Sequence, residues 1–146
     1  MREILFRGQT RRKGEKVRMD GTPVESNWVY GGVLQGTGDH SIIYQTEPDI
    51  EKKVVYTDTL GQYTGLTDKN GTKIFEGDIV KFKHGGEFDK KIYYRNYAVE
   101  FINTYVTYGL RLRNGSVHFP FKKATASQHD AEVIGNIYDN LELLKE

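Results

Sequence analysis

The feature that most constrains the fold of this chain is the segment Thr59–Phe82, in which two tight turns separate three short runs of strand-forming residues. The first turn is DKNG at residues 68–71, where Asp suits the first turn position and Gly supplies the positive φ that closes a type I hairpin with a bulge. The second turn is EGD at residues 76–78, and it leads into Ile79–Lys83, whose side chains alternate between two faces. A segment so densely broken by turns predicts antiparallel β-structure.

Alternating patterns of the same kind recur along the chain. Tyr97, Val99 and Phe101 share one face of a predicted strand, and Asn114-Gly115 predicts a two-residue hairpin turn. No apolar period of 3.6 residues extends over a long segment, so we predict an all-β single domain over residues 1–146, with roughly eight to eleven short strands.

Two segments of this predicted domain are not strands. The polar segment TEPDIEKK at residues 46–53 predicts a loop or a single helical turn, with extended structure resuming at Val54. A short helical turn is predicted over Asn140–Lys145. A chain made of short strands protects its sheet edges by closing into a barrel or by stacking two sheets.

The composition is that of an ordinary soluble domain, with a net charge of +1 and no cysteine. The balanced charge gives no global electrostatic argument for nucleic acid or membrane, and the missing cysteines exclude disulfides, thiolate metal sites and cysteine nucleophiles. The start, MREILFRGQ, has three consecutive apolar residues before an arginine, so we predict no signal peptide. We expect a cytoplasmic protein with no membrane contact.

Three pieces of the chain resemble the YopX family: ILFRG near the start, TLGQYTGLTDKNGTKIFEGDIVKF in the middle and EVIGNIYDNLELL at the end. The resemblance implies a mostly-β pseudo-barrel of bent, short antiparallel strands, encoded by phages and prophages, and it supplies no catalytic residues to transfer. The family's first strand continues with a Trp-Asp pair, where this chain has Gln9-Thr10. The motif positions to which we assign structural roles are Gly65, Asp68, Asn70, Gly71, Glu76, Gly77, Asp78, Gly135 and Asn136.

Catalytic and metal-binding constellations are not predicted. Glu76 and Asp78 could form a carboxylate pair, but residues in an EGD turn are better explained by backbone hydrogen bonding. No spacing typical of a metal site connects the histidines, which are His40, His84, His118 and His129. The glycine-rich residues 31–38 lack the Lys-Ser/Thr pair of a phosphate-binding loop. We therefore predict no cofactor, no metal and no catalytic residue.

Two basic clusters could contact a partner. One is a predicted hairpin tip and the other joins cations to tyrosines, as in β-barrels that bind nucleic acid. Their residues are Arg11, Arg12, Lys13, Lys90, Lys91, Tyr93, Tyr94 and Arg95.

The leading hypothesis is a non-enzymatic accessory protein that binds a protein partner, either a host factor or a second copy of itself, by strand pairing or an aromatic patch. The alternatives are a nucleic-acid-binding module that uses these clusters, and an enzyme whose site is assembled from distant strands.

Overall fold

In a computed structural model, the described residues of this chain are 3–12, 27–34, 36, 38–86, 88, 90–102, 107–112, 117–120 and 130–144, with the backbone alone described at 102, 107 and 117–120. Three features predicted above lie outside these ranges: the cation Lys13, the hairpin turn at Asn114-Gly115 and the histidine His129. Within them no helix is both long and apolar enough to cross a membrane.

The all-β prediction is confirmed. The strands are β1 (Phe6–Gln9), β2 (Trp28–Leu34), β3 (His40–Gln45), β4 (Glu51–Tyr56), β5 (Gly61–Thr67), β6 (Lys73–Phe75), β7 (Asp78–His84), β8 (Tyr93–Ile102), β9 (Thr107–Arg111), β10 (Val117–Pro120) and β11 (Ala131–Asn136). They form two antiparallel sheets, in the orders β4-β3-β2-β1-β5-β6 and β10-β9-β8-β7-β11, and the described strands do not close into a barrel. Short 3-10 helices cover Thr57–Thr59 and Leu141–Leu144, the second within the predicted terminal turn.

The chain divides into two compact units, residues 1–63 and 64–146, and the boundary falls within β5. The prediction of one domain spanning residues 1–146 stays a prediction.

Unit 1 contains β1 to β4 and the start of β5. The side chains of Ile43 and Val55 are fully buried on one face of its sheet, with Ser41 beside them. Backbone and hydroxyl contacts complete this core: the Gln9 N–H donates to Oγ1 of Thr59 at 2.9 Å. The alternation of the strand residues thus places one set of side chains in the core and turns the other set outward.

Strand β4 begins earlier than the sequence predicts. The sequence predicts a loop or a single helical turn over Glu51 to Lys53, but these residues pair with β3 in continuous register, with Lys53 opposite Ile43 and Glu51 opposite Gln45. Glu and Lys have low strand propensity, yet on an outer strand their charges stay in water while the backbone gains its hydrogen bonds. Tertiary pairing therefore overrides the local preference.

Unit 2 contains the end of β5, then β6 to β11 and the terminal 3-10 helix. Its core combines alternate residues of β7, β8 and β9 with single residues of β6 and β11. The members of this cluster are Ile74, Val80, Phe82, Tyr97, Val99, Tyr108, Leu110 and Ala131. Val80 and Phe82 share a face as predicted, and Tyr97 lies directly opposite Val80 in the sheet.

Candidate functional site

The DKNG turn is organised by the carboxylate of Asp68, which is only 2% exposed. Its Oδ1 accepts hydrogen bonds from the N–H groups of Asn70 and Thr72, both at 2.9 Å, and its Oδ2 accepts one from the Val133 N–H at 2.8 Å. Gly71 has the positive φ of 81° that the turn requires. Asp68 therefore closes the hairpin with one oxygen and fastens it to β11 with the other.

The EGD turn is held by its backbone. Gly77, with φ of 92°, donates its N–H to the Val99 carbonyl at 2.8 Å, and its own carbonyl accepts from the Ile137 N–H at 2.9 Å. The buried Asp78 carboxylate accepts the Phe75 N–H at 2.7 Å. The Glu76 side chain is half-buried in the same turn. These contacts give the carboxylate of Asp78 a structural role, as the turn pattern predicts.

The motif near the C-terminal end, which contains Gly135 and Asn136, forms a turn that is held by hydrogen bonds among its own residues. Asn136 Oδ1 accepts the N–H groups of Tyr138 at 3.0 Å and Asp139 at 2.9 Å, and the Asn136 N–H donates to Asn140 Oδ1 at 3.2 Å. A Cβ added at Gly135 would lie 2.6 Å from that Asn140 oxygen, so this position must stay small. The remaining motif glycine, Gly65, is exposed within β5.

A solvent-open cavity of about 460 Å³ lies where β7 ends and the chain turns towards β8. We call this region the β7–β8 end. The cavity brings together two lysines, a histidine and one carboxylate, and its lining residues are Lys83, His84, Gly85, Gly86, Lys90, Ile92 and Asp130. A Gly86 N–H bond to the Lys90 carbonyl at 3.0 Å closes the turn beneath it.

Aromatic rings form a stack beside this cavity. The rings of His84 and Tyr93 lie 5.0 Å apart and only 15° from parallel. A ring nitrogen of His84 shares a hydrogen bond with the Tyr97 hydroxyl at 2.8 Å. Burial raises the pKa of Tyr97, an effect that the nearby positive charge of Arg95 partly offsets. Tyr97 thus stays a neutral phenol that fixes the His84 ring.

The predicted contact residues of unit 2 gather at this β7–β8 end. The side chains of Lys90, Lys91, Tyr93, Tyr94 and Arg95 are all exposed there. Side chains of neighbouring strand residues point to opposite faces, so the two tyrosines do not share one. The sequence identified this cluster, but it did not show the cavity, because the cavity also depends on residues of β7 and on Asp130, which immediately precedes β11.

The Tyr94 ring has a cation of its own. The Lys81 ammonium lies over it, 4.8 Å from the ring centroid.

The arginines of the predicted basic hairpin tip, Arg11 and Arg12, contact other residues of unit 1. The Arg12 guanidinium forms an ion pair with Asp58 at 2.8 Å and lies over the Tyr56 ring at 4.2 Å from its centroid. The Arg11 backbone N–H donates to Asn27 Oδ1 at 3.3 Å. These arginines therefore make intramolecular contacts within their unit.

Sequence reasoning missed an exposed apolar row in unit 1. Leu34 lies opposite Ile42, and Ile42 lies opposite Val54, so the three side chains cross β2, β3 and β4 on one face of the sheet. Leu34 is 54% exposed and Val54 58% exposed. The signal that could have indicated part of this apolar row is the alternation itself, since Ile42 and Val54 each precede a core residue in their strands.

Metal-binding potential is low in the part of the chain that the structure describes, where no three His, Asp or Glu side chains gather in a way that could hold an ion. His40 packs against Tyr56, with ring centroids 4.9 Å apart, and His84 belongs to the stack at the β7–β8 end. The side chains of His118 and His129 lie outside the described part of the chain.

Comparison with known proteins gives the family and the fold. The crystal structure of protein EF1440 from Enterococcus faecalis is similar to this chain, with a TM-score of 0.51 and 20% sequence identity over 99% of this chain and 100% of that one. Such an identity shows a shared fold alone. Among proteins with curated descriptions none matches. The family model described as YopX protein matches residues 15–145, which is most of the sequence, and this chain therefore belongs to the YopX family.

Proposed function

We propose that this chain is a non-enzymatic accessory protein of a phage or prophage, which acts in the bacterial cytoplasm by binding a protein partner through the apolar row of unit 1. Membership of the YopX family supports the phage setting. The way the motif carboxylates are used supports a binding role, because Asp68 and Asp78 are buried and accept backbone hydrogen bonds.

The observation that carries the proposal is the position of the apolar row at the margin of a sheet. Val54 belongs to β4, which is the outer strand of its sheet in the part of the chain that the structure describes, and it is 58% exposed. A partner that adds a strand beside β4 would form backbone hydrogen bonds and cover Val54 with an apolar side chain of its own. Ile42 on β3 and Leu34 on β2 continue the apolar row away from the sheet edge, and they would enlarge the apolar contact with the partner.

The lysines of β4 favour an acidic partner segment. In a two-fold symmetric antiparallel pair of β4 strands that centres on Lys53, the two Lys53 side chains would lie directly opposite each other, and like charges in that position destabilise strand pairing. A partner strand that carries Asp or Glu would turn the same lysines into attractive contacts. We therefore propose an acidic, partly apolar segment of a host protein as the occupant.

Capture from bacterial lysate with matched variants tests this proposal. The wild-type chain should retain a partner, Val54→Glu should lose it, and Phe88→Glu should retain it, because Phe88 is a fully exposed aromatic of the other unit. Replacing Lys52 and Lys53 together by Glu should also abolish capture, since the partner segment is acidic. The free chain should sediment as a monomer.

Three results would contradict the proposal. They are the absence of any retained protein, equal retention by wild type and Val54→Glu, and a stable dimer of the free chain.

A further inference from the structure

One backbone hydrogen bond shows which residues of β4 bond to β3 and which are turned away from it. The Thr57 N–H donates to the Asp39 carbonyl at 2.8 Å, and this pair continues the register between β3 and β4. In an antiparallel ladder, pairs that exchange hydrogen bonds alternate with pairs that do not. Counting back from Thr57, the N–H and C=O groups of Val54 and Lys52 therefore point away from β3.

The neighbouring strand shows the same alternation. A Cβ added at Gly31 would collide with the Tyr44 carbonyl oxygen, so that carbonyl points towards β2. Tyr44 is the residue opposite Lys52, and the carbonyl of this pair is thus not directed at β4. Within the described ranges, the backbone groups of Lys52 and Val54 form no hydrogen bond on the outer side of β4. They are available to an added strand.

The side chains along this edge carry charges in a fixed order. Reading back from Val54, the residues are Lys53, Lys52 and Glu51, and all of them are exposed. None of these charged side chains forms an ion pair with another described residue. The edge therefore presents an apolar position, two cations and one anion to whatever strand pairs with it.

We propose that the partner segment runs antiparallel to β4 and reads apolar, acidic, acidic, basic from its N-terminal to its C-terminal end. Its apolar residue lies opposite Val54. The residues that follow lie opposite Lys53, Lys52 and Glu51 in turn. This direction and register rest on the protein contact proposed above for the apolar row. Antiparallel pairing is the arrangement of β1 to β4 themselves, and it is slightly more stable per residue than parallel pairing.

The position opposite Lys53 discriminates most strongly between partner segments. Because Val54 and Lys52 exchange backbone hydrogen bonds with the segment, Lys53 falls in a pair that does not, and side chains are closer in such pairs. An acidic residue there attracts Lys53, and a basic one is repelled. Reversing one charge in this pair should change the affinity about tenfold.

Nuclear magnetic resonance of the isotope-labelled full chain with synthetic peptides tests the direction. The forward peptide carries valine, glutamate, glutamate and lysine in that order, on one strand of a cyclised hairpin that lowers the entropy cost of binding. The reversed peptide has the same composition in the opposite order. The forward peptide should bind about tenfold more tightly. It should also slow hydrogen exchange at the amides of Lys52 and Val54, with little change at Lys53 and Val55, which already bond to β3.

Exchange of charges tests the register. Lys53→Glu should weaken binding of the forward peptide about tenfold, and lysine in place of the first glutamate of the peptide should restore it. Lysine in place of the second glutamate should not restore it, because that residue lies opposite Lys52. The matched control is Phe88→Glu, which adds the same charge to an exposed position of unit 2 and should bind the forward peptide as wild type does.

The proposal is overturned if the forward peptide does not bind at about 1 mM or if the reversed peptide binds as tightly. It is also overturned if Lys53→Glu is rescued only by lysine at the second glutamate, or if the Lys53 and Val55 amides gain the protection. The proposed function survives each of these results as long as Val54→Glu loses the partner captured from lysate, so the two failures are distinguishable.

Discussion

Asp68 offers the sharpest test of how the family motif stabilises the fold. Replacing Asp68 by Ala leaves three backbone N–H groups without their carboxylate acceptor. Asn70 and Thr72 are exposed, so water can reach their N–H groups and each loss costs about 1 kcal/mol. The Val133 N–H lies between β11 and the hairpin, and its loss costs about 2 kcal/mol because water reaches it less easily. We expect the free energy of unfolding to fall by about 4 kcal/mol.

Urea unfolding followed by far-ultraviolet circular dichroism measures this loss. Asp68→Asn keeps one carbonyl oxygen and should fall between wild type and Asp68→Ala. The matched control is Asp58→Ala, which removes an exposed ion pair with Arg12 and should cost at most about 1 kcal/mol. If Asp68→Ala costs no more than Asp58→Ala, the carboxylate does not hold the hairpin on β11 and this reasoning is wrong.

Three further predictions concern other parts of unit 2. Gly77→Ala should destabilise the protein more than Gly71→Ala. Both positions have positive φ, but only at Gly77 would the new Cβ lie 3.0 Å from the Tyr138 ring. The urea midpoints of the two variants check this prediction. Burial raises the pKa of Tyr97, so the unfolded chain loses this proton at lower pH than the folded chain, and the contribution of Tyr97 to stability should be fully present below about pH 10 and be lost above it. Tyr97→Phe should reduce that alkaline fall, measured as the change in unfolding free energy between about pH 8 and about pH 10.5, and an unchanged fall would contradict the assignment. Asn136→Ala should cost about 1 to 2 kcal/mol, because two backbone N–H groups of the tail turn lose their acceptor, and equilibrium unfolding would show it.

Much of the fold could be predicted because its signals are local. The turns at residues 68–71 and 76–78 depend on residue types at fixed spacings, and the alternation of Val80 and Phe82 follows from the period of a strand. The predicted start of β4 was wrong because its signal is not local: Glu51 to Lys53 form a strand only through pairing with β3. Propensity cannot show which neighbour a segment will find in the folded chain.

The cavity of unit 2 and the apolar row of unit 1 show the same limit of prediction from sequence. The cluster around Tyr93 could be found in the sequence because its cations and rings are adjacent in the chain, whereas the cavity beside it also needs Lys83 and Asp130. The apolar row needs the register of three strands to bring Leu34, Ile42 and Val54 together. Residues that meet only through long-range pairing leave no pattern in the sequence that is specific to their contact.

The central claim is that the family motif maintains shape while exposed side chains outside it bind the partner. The most direct measurement compares cellular abundance with partner retention for single variants of both kinds. Substitutions at Asp68, Gly77 and Asn136 should lower abundance and retention together, whereas Leu34→Glu and Val54→Glu should lower retention at unchanged abundance. A motif substitution that leaves abundance intact and still abolishes retention would contradict the account.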